Sequence, residues 1–277
     1  MKAAEEPSSI CRRLGARVAV ITGGGHGIGK AYAKRLAMEG AKVVIAEIDA
    51  NAAGQAAKEL VDAGLTAIGI PTDVTSENSL RKMVDQTMKA FGRIDVLVNN
   101  AAMFATIPIS RLAFDQIDPK EWDKVMEVNL KGAWLACRAV VPVMKKQGGG
   151  KIITIASGTA FKGVSGRIHY VTTKAGILGF TRTLASELGA FNINVNCIAP
   201  GSTLSEENAS EDLIKYREQA MHGRALKRGC RPRTIWWERS RFFPPATVIL
   251  LPARLSSLTG GLICISRRQK AKLFPIR

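Results

Sequence analysis

The sequence predicts the α/β class, with one doubly wound parallel sheet carrying helices on both faces. Three observations predict it. Six short runs rich in Val and Ile alternate with longer amphipathic stretches between residues 16 and 200, the pattern of strands joined by helical crossovers. The runs are nearly continuous in apolar character, as expected of strands buried on both faces. The first run passes directly into a glycine-rich turn and then a helical pattern, Thr22-Gly23-Gly24-Gly25-His26-Gly27-Ile28-Gly29.

The strands are expected at Arg17–Thr22, Lys42–Ala46, Thr66–Pro71, Ile94–Asn99, Lys151–Ile155 and Asn194–Ile198. Helices are expected at Ile28–Met38, Ala50–Ala63, Ser76–Phe91, Pro119–Val143 and Tyr170–Leu188. The start at Asp118 is chemically explicit, because Asp118 can cap, Pro119 suits the first turn and Glu121 completes a capping box. No internal repeat or low-complexity stretch interrupts the series.

A chain of 277 residues, 46% hydrophobic and 23% charged, is long enough for one large domain. Its longest apolar runs end well before the roughly 18 residues of a membrane span, and residues 1–9 lack the apolar core of a signal peptide. A cytoplasmic protein with no membrane partner is therefore expected. Five scattered cysteines without C-x-x-C spacing suit neither a disulfide framework nor a zinc site, and no metal is expected.

The net charge of +17 divides unevenly. Residues 1–228 carry 30 basic and 22 acidic side chains, and residues 229–277 carry 10 and one. More than half of the excess lies in the last 49 residues, which are therefore read apart from the body. Three segments follow: an extension at 1–14, the main domain at 15–228 and an atypical basic tail at 229–277.

Glycines in the turn after the first strand let a backbone approach a pyrophosphate, and the following helix offers unpaired N–H groups and a positive dipole end. Glu47 stands 18 residues after Gly29 at the end of the second strand, where a carboxylate can accept hydrogen bonds from an adenosine ribose and repel a 2′-phosphate. NAD is thus favoured over NADP, with Asp49 as a second candidate for the same task. Tyr170 and Lys174 are four residues apart on an expected helix, so phenol and ammonium share a face and the charge can lower the phenol's pKa. Such a tyrosine can take a proton from an alcohol or return it to a ketone. Ser157 follows the fifth strand, 13 residues before Tyr170, where its hydroxyl can orient the reacting oxygen. Each motif alone also has an ordinary structural explanation: a tight turn, a solvated acid, a surface helix pair, a turn serine.

Together with Asp73, Asn99-Asn100-Ala101, Asn129 and Pro200-Gly201, these motifs resemble the classical short-chain dehydrogenase/reductase family from position 15 to about 228. The resemblance implies a Rossmann-type fold and an oxidoreductase interconverting a secondary alcohol and a ketone with NAD. It implies a catalytic set of Asn129, Ser157, Tyr170 and Lys174, with Asn129 anchoring a water in a proton relay. It implies a cofactor set of Gly23, His26, Gly27, Ile28, Gly29, Glu47, Asp73, Val74, Asn100, Ala101, Ala102, Pro200, Gly201 and Thr203, joined by Tyr170 and Lys174. Asp73 would hold the adenine, Lys174 the nicotinamide ribose, and the backbone after Pro200-Gly201 the carboxamide. Ala102 stands where the family usually has Gly, and Thr203 or Ser205 near its usual Thr.

By the same resemblance the substrate pocket lies between 103–106, 158–167 and 202–225. There Phe104, Phe161 and Val164 suit a hydrophobic substrate, and Arg167 could meet an anionic one or be a solvated loop charge. His26 and His169 stand beside key motifs, yet the sequence gives neither a catalytic role. A homotetramer is implied, built on the helices Pro119–Val143 and Tyr170–Leu188 and on the last strand. The rival readings are an NADP-linked 3-oxoacyl-thioester reductase, a catalytically silent cofactor binder, and a nucleic-acid binder using the tail.

The family pattern stops after Arg228. Trp236-Trp237-Glu238 must be encoded TGGTGGGA, and a start one nucleotide earlier reads Val-Gly, with the family's Glu-Asp, I-T-G-Q and V-V-D-G-G segments permitted in order across 233–261. The tail is read as a frameshift product, against an evolved basic extension.

Overall fold

The computed structural model describes residues 13–104, 107–201, 203, 211–212 and 251–252. The chain divides into two compact units, one of residues 1–101 and 134–150, the other of 102–133 and 151–277.

The first unit is built on four parallel strands in the order β3-β2-β1-β4: β1 (Val18–Thr22), β2 (Lys42–Glu47), β3 (Ala67–Pro71) and β4 (Val96–Asn99). Val20 faces Val44 and Leu97, and Ile21 faces Ile45 and Val98. Every residue of β1 is buried. Each fully buried Val or Ile contributes roughly 1.5–3 kcal/mol relative to exposure, so these runs can occupy only the interior.

Helices α1 (Gly27–Met38), α2 (Ala50–Asp62) and α3 (Glu77–Phe91) connect the strands. Small residues set their approach: α1 buries Gly29, Ala33 and Ala37, and α2 buries Ala53, Ala56, Ala57 and Leu60. A Cβ at Gly69 would stand 2.4 Å from the Ala53 carbonyl oxygen, so β3 and α2 pack backbone to backbone. Asp49 and Ser76 cap α2 and α3. Buried Asp95 is satisfied by the Val18 amide, Arg17 and Arg93, as a buried carboxylate requires.

The second unit holds α4 (Pro119–Met126), a π turn (Glu127–Lys131) and the first residues of α5 (Gly132–Lys146). These are followed by β5 (Gly150–Ile155), the short α6 (Thr159–Lys162), α7 (Ile168–Leu188) and β6 (Ile193–Ile198). The single helix expected over Pro119–Val143 is thus corrected to two helices flanking one inserted residue's worth of π register. Asp118 caps α4 through the Lys120 amide, with Pro119 in the first turn, but the expected capping box does not form. Glu121 instead accepts from the Ser110 amide at 2.6 Å.

Helix α7 buries Tyr170, Thr173, Lys174, Ile177, Leu178 and Thr181 on one stripe. Its apolar part packs with Ala156, Cys197 and Ala199, so the same face that anchors the helix carries Tyr170 and Lys174. Strand β7 (Leu251–Pro252) pairs antiparallel with β6, Cys197 facing Leu251. This adds one antiparallel pair beside the expected parallel strands. The remainder of the basic tail lies outside the described residues.

Candidate active site

The first unit supplies the glycine-rich turn. Gly23 has φ +62°, and a Cβ on it would lie 2.8 Å from Ala101 Cα; a Cβ on Gly29 would lie 2.0 Å from the Gly23 carbonyl oxygen. Only glycine fits either place. Thr22 Oγ1 accepts from the amides of Asn100 and Ala101, each at 3.1 Å, while Asn100 Nδ2 donates to the carbonyls of Thr22 and Gly23 at 3.1 and 2.9 Å. The end of β1 and the end of β4 are thereby locked into one piece.

Glu47 is buried at the end of β2, and its Oε2 accepts from the Gly25 amide at 3.2 Å while Oε1 accepts from the Ile48 amide at 2.9 Å. Asp49, the second candidate, is occupied in capping α2 through the amides of Asn51 and Ala52. Asp73 closes a local turn, accepting from the amide and hydroxyl of Thr75 at 2.8 and 2.7 Å, and Val74 beside it is buried.

The residues here fit a dinucleotide. Helices α2, α3 and α4 each have a side-chain cap, whereas α1 has none: exposed His26 precedes it without capping, and no acid stands in its first turn. Its first N–H groups thus keep their capacity for an external anion, at the glycine turn and beside Gly27 and Ile28.

The second unit brings together Ser157, Tyr170, Lys174 and Asn129. Ser157 Oγ accepts from the Thr159 amide at 3.2 Å and the Thr159 hydroxyl at 2.9 Å, and Ser157 helps to pull the Tyr170 pKa down. Burial holds the Tyr170 phenol above its ordinary range, opposed by the polar Ser157 side chain and the charge of Arg167.

Lys174 is wholly buried and pushed down to about 8 by burial. Its Nζ donates to the Ile155 carbonyl at 2.8 Å and lies 5.7 Å from the Tyr170 ring centroid. The spacing expectation is met in placing both on one face. Arg167 adds a further charge that pulls the phenol's pKa down.

Asn129 sits in the π turn, a register that recurs at functional sites. Its Oδ1 accepts from the Met103 amide at 2.7 Å, and Nδ2 donates to the Met103 carbonyl and Thr173 Oγ1, both at 3.4 Å. Thr173 in turn donates to the Tyr170 carbonyl at 2.7 Å. Pro200 accepts from the Gly158 amide at 2.9 Å, and Thr203 Oγ1 donates to the Gly201 carbonyl at 3.4 Å. Ala102 precedes Met103 and is half-buried. Ser205 and most of the 202–225 pocket segment lie outside the described residues.

Some relationships among the site residues were not legible in the sequence. The Phe104 ring stacks on Tyr170 with centroids 4.6 Å apart and 28° between planes, and the Arg167 guanidinium lies 5.0 Å from the Phe104 centroid. Thr159 orients Ser157, a role that the Ser-x-Thr spacing could have suggested.

The family model for the short chain dehydrogenase matches residues 17–213. The chain belongs to the short-chain dehydrogenase family. It is accordingly a Rossmann-type oxidoreductase of the nicotinamide-dependent kind. Among its relatives in this family, 3-oxoacyl-[acyl-carrier-protein] reductase of Synechocystis is 35% identical over 76% of this chain and 85% of its own. Dehydrogenase/reductase SDR family member 4 of Caenorhabditis elegans is 35% identical over 96% of this chain and 99% of its own. The crystal structure of 3-ketoacyl-(acyl-carrier-protein) reductase from Brucella melitensis complexed with NADH superimposes with a TM-score of 0.65 at 32% identity, covering 69% of this chain and 78% of that one.

Proposed function

We propose that this short-chain dehydrogenase interconverts a hydrophobic secondary alcohol and its ketone, with NAD as redox partner. The observation that carries the reading is the buried Tyr170 phenol one helical turn from buried Lys174 on α7, with Ser157 lowering the phenol's pKa. The dinucleotide supplies or accepts the hydride. Tyr170 gives the carbonyl oxygen its proton in reduction and takes it back in oxidation. Ser157, its oxygen pinned by Thr159, turns a fixed donor toward the reacting oxygen. Lys174 holds the end of β5 and, when charged, favours the phenolate. Asn129 keeps Met103 and Thr173 in place and is assigned to the proton relay.

Glu47, Gly23, Gly25 and Gly29 are assigned to the adenosine and pyrophosphate, Asp73 and Val74 to the adenine side, and Asn100, Ala101, Ala102, Pro200, Gly201 and Thr203 to the nicotinamide side. Phe104, with Phe161 and Val164 in the same unit, supports an apolar substrate wall. Names of relatives favour a second reading, reduction of a 3-oxoacyl thioester, and the NADH in the Brucella protein is compatible with an NAD-linked form of it.

The test is initial rates on hydrophobic secondary alcohols with NAD and on 3-oxoacyl thioesters with NADH and NADPH. Faster turnover of the thioesters with NADPH would replace the first reading by the second. No turnover of either by a folded, cofactor-binding protein would leave a silent family member. We further propose a homo-oligomer formed through α4, α5 and α7, supported by Trp134 and Ile168, each nearly half exposed. Light scattering of the purified protein reads this directly. No helix among the described residues is long and apolar enough to cross a membrane, and a cytoplasmic place of action goes with this reading.

A further inference from the structure

His169 is wholly buried, directly precedes Tyr170 on α7, and takes no part in the chemistry above. Its Nε2 lies 3.3 Å from Glu121 Oε1 on α4, and that same oxygen accepts from the Ser110 amide at 2.6 Å. The Ser110 amide is also the chief reason that the Glu121 carboxyl sits below its usual range. His169 Nδ1 is buried without a hydrogen-bond partner among the described residues. Burying an imidazole with one nitrogen unmatched costs free energy that an apolar residue of similar size would avoid. Packing alone therefore does not account for a histidine there.

The segment it reaches is the one that covers the catalytic phenol. Phe104 stacks on Tyr170 and bridges to Pro108. On one side of Phe104 the Met103 backbone is held by Asn129. On the other, Ser110 is held by Glu121. Beyond it Arg111 and Leu112 lie against Gly166, where a Cβ would stand 3.5 Å from the Arg111 carbonyl carbon.

We propose that His169 and Glu121 are positioning residues, which clamp Ser110 to α7 and so hold the Phe104 ring over Tyr170 as the fixed wall against which substrate docks. The proposal rests on the oxidoreductase reading only for its kinetic test; the clamp itself is read separately.

Kinetics of Glu121→Ala, Phe104→Ala and the double variant are compared with wild type. Loss of a hydrogen-bonded clamp is expected to raise the substrate KM about tenfold in Glu121→Ala, with kcat within about threefold and NADH affinity unchanged. Phe104→Ala is expected to show the same split, and the double variant to be no worse than Phe104→Ala alone. Glu121→Gln keeps an acceptor for Ser110 and is expected to restore most of the KM. Multiplying effects in the double variant, or a loss confined to kcat, would overturn the proposal.

Hydrogen exchange at the Ser110 amide is measured in Glu121→Ala and in His169→Phe, which removes the contact from the other side. Exchange about tenfold faster than wild type is expected in each, with the first unit unchanged; unaltered exchange in whichever variant folds would overturn the clamp. A wild type that turns over no substrate defeats the oxidoreductase reading, while exchange still judges the clamp.

Discussion

Glu47 Oε2 lies 3.2 Å from the Gly25 nitrogen and accepts its hydrogen. The carboxylate proposed to read the ribose is thereby fixed on the glycine turn itself, and a Cβ at Gly25 would stand 2.8 Å from Glu47 Cγ. A 2′-phosphate brought to this place would meet a buried negative charge.

Glu47→Gln removes that charge and keeps an acceptor for the Gly25 amide. The ratio of the dissociation constants of NADPH and NADH is expected to fall about tenfold or more, since one relieved charge contact is worth at least about 1.4 kcal/mol at short range. Fluorescence titration with both dinucleotides measures it. An unchanged ratio would remove Glu47 from cofactor choice.

Tyr170→Phe is expected to lower kcat by about a hundredfold to ten-thousandfold with cofactor binding retained. The pH dependence gives a finer test. Burial raises the Tyr170 pKa, and Ser157 and Arg167 pull it down, so removing either helper raises it further. The rising limb of alcohol oxidation with pH should therefore move to higher pH in Ser157→Ala and in Arg167→Gln. A limb that stays put in both would show that another group titrates.

The strands and the glycine turn were legible because burial on both faces and backbone close approach leave few residue types possible: β1 is buried throughout, and Gly29 has no room for a methyl. The residues proposed as catalytic were picked out by order and spacing, and Ser157, Tyr170, Lys174 and Asn129 all fall in the second unit. What escaped is non-local. Glu121 has the local pattern of a capping box, yet its partners are Ser110 and His169, the latter 48 positions away. The π turn at Asn129 adds one residue to a helix without disturbing its apolar stripe. The spacing of Tyr170 and Lys174 said that they share a face, but not that the ammonium would turn to the Ile155 carbonyl.

For the tail we propose the shifted-frame origin, with the body at 15–228 as the functional domain. Sequencing the gene and its transcript across codons 225–235 is expected to reveal a one-nucleotide discrepancy. A single intact frame would instead make the basic extension part of the protein, in line with the C. elegans relative's alignment over 96% of the chain. Salt-dependent retention on DNA or RNA is expected to be absent in the shifted-frame case.

Lys174 sets activity against stability. Its pKa is pushed down to about 8 from 10.5 by burial, so the native state disfavours the charged form relative to the unfolded chain. Below pH 8 both states carry the proton and the native state bears the full cost. Between pH 8 and 10.5 the native lysine releases its proton first, and the cost shrinks; above that it is gone. Lys174→Met should therefore abolish turnover yet raise the stability of the cofactor-free protein at pH 7. The gain is on the order of 1–3 kcal/mol, the relieved desolvation less the hydrogen bond lost at Ile155. It should decline as pH rises from 8 toward 10.5. Urea unfolding at pH 7 and pH 10 measures both values, and a variant less stable than wild type at pH 7 would mean that the ammonium holds the end of β5 more strongly than its burial costs.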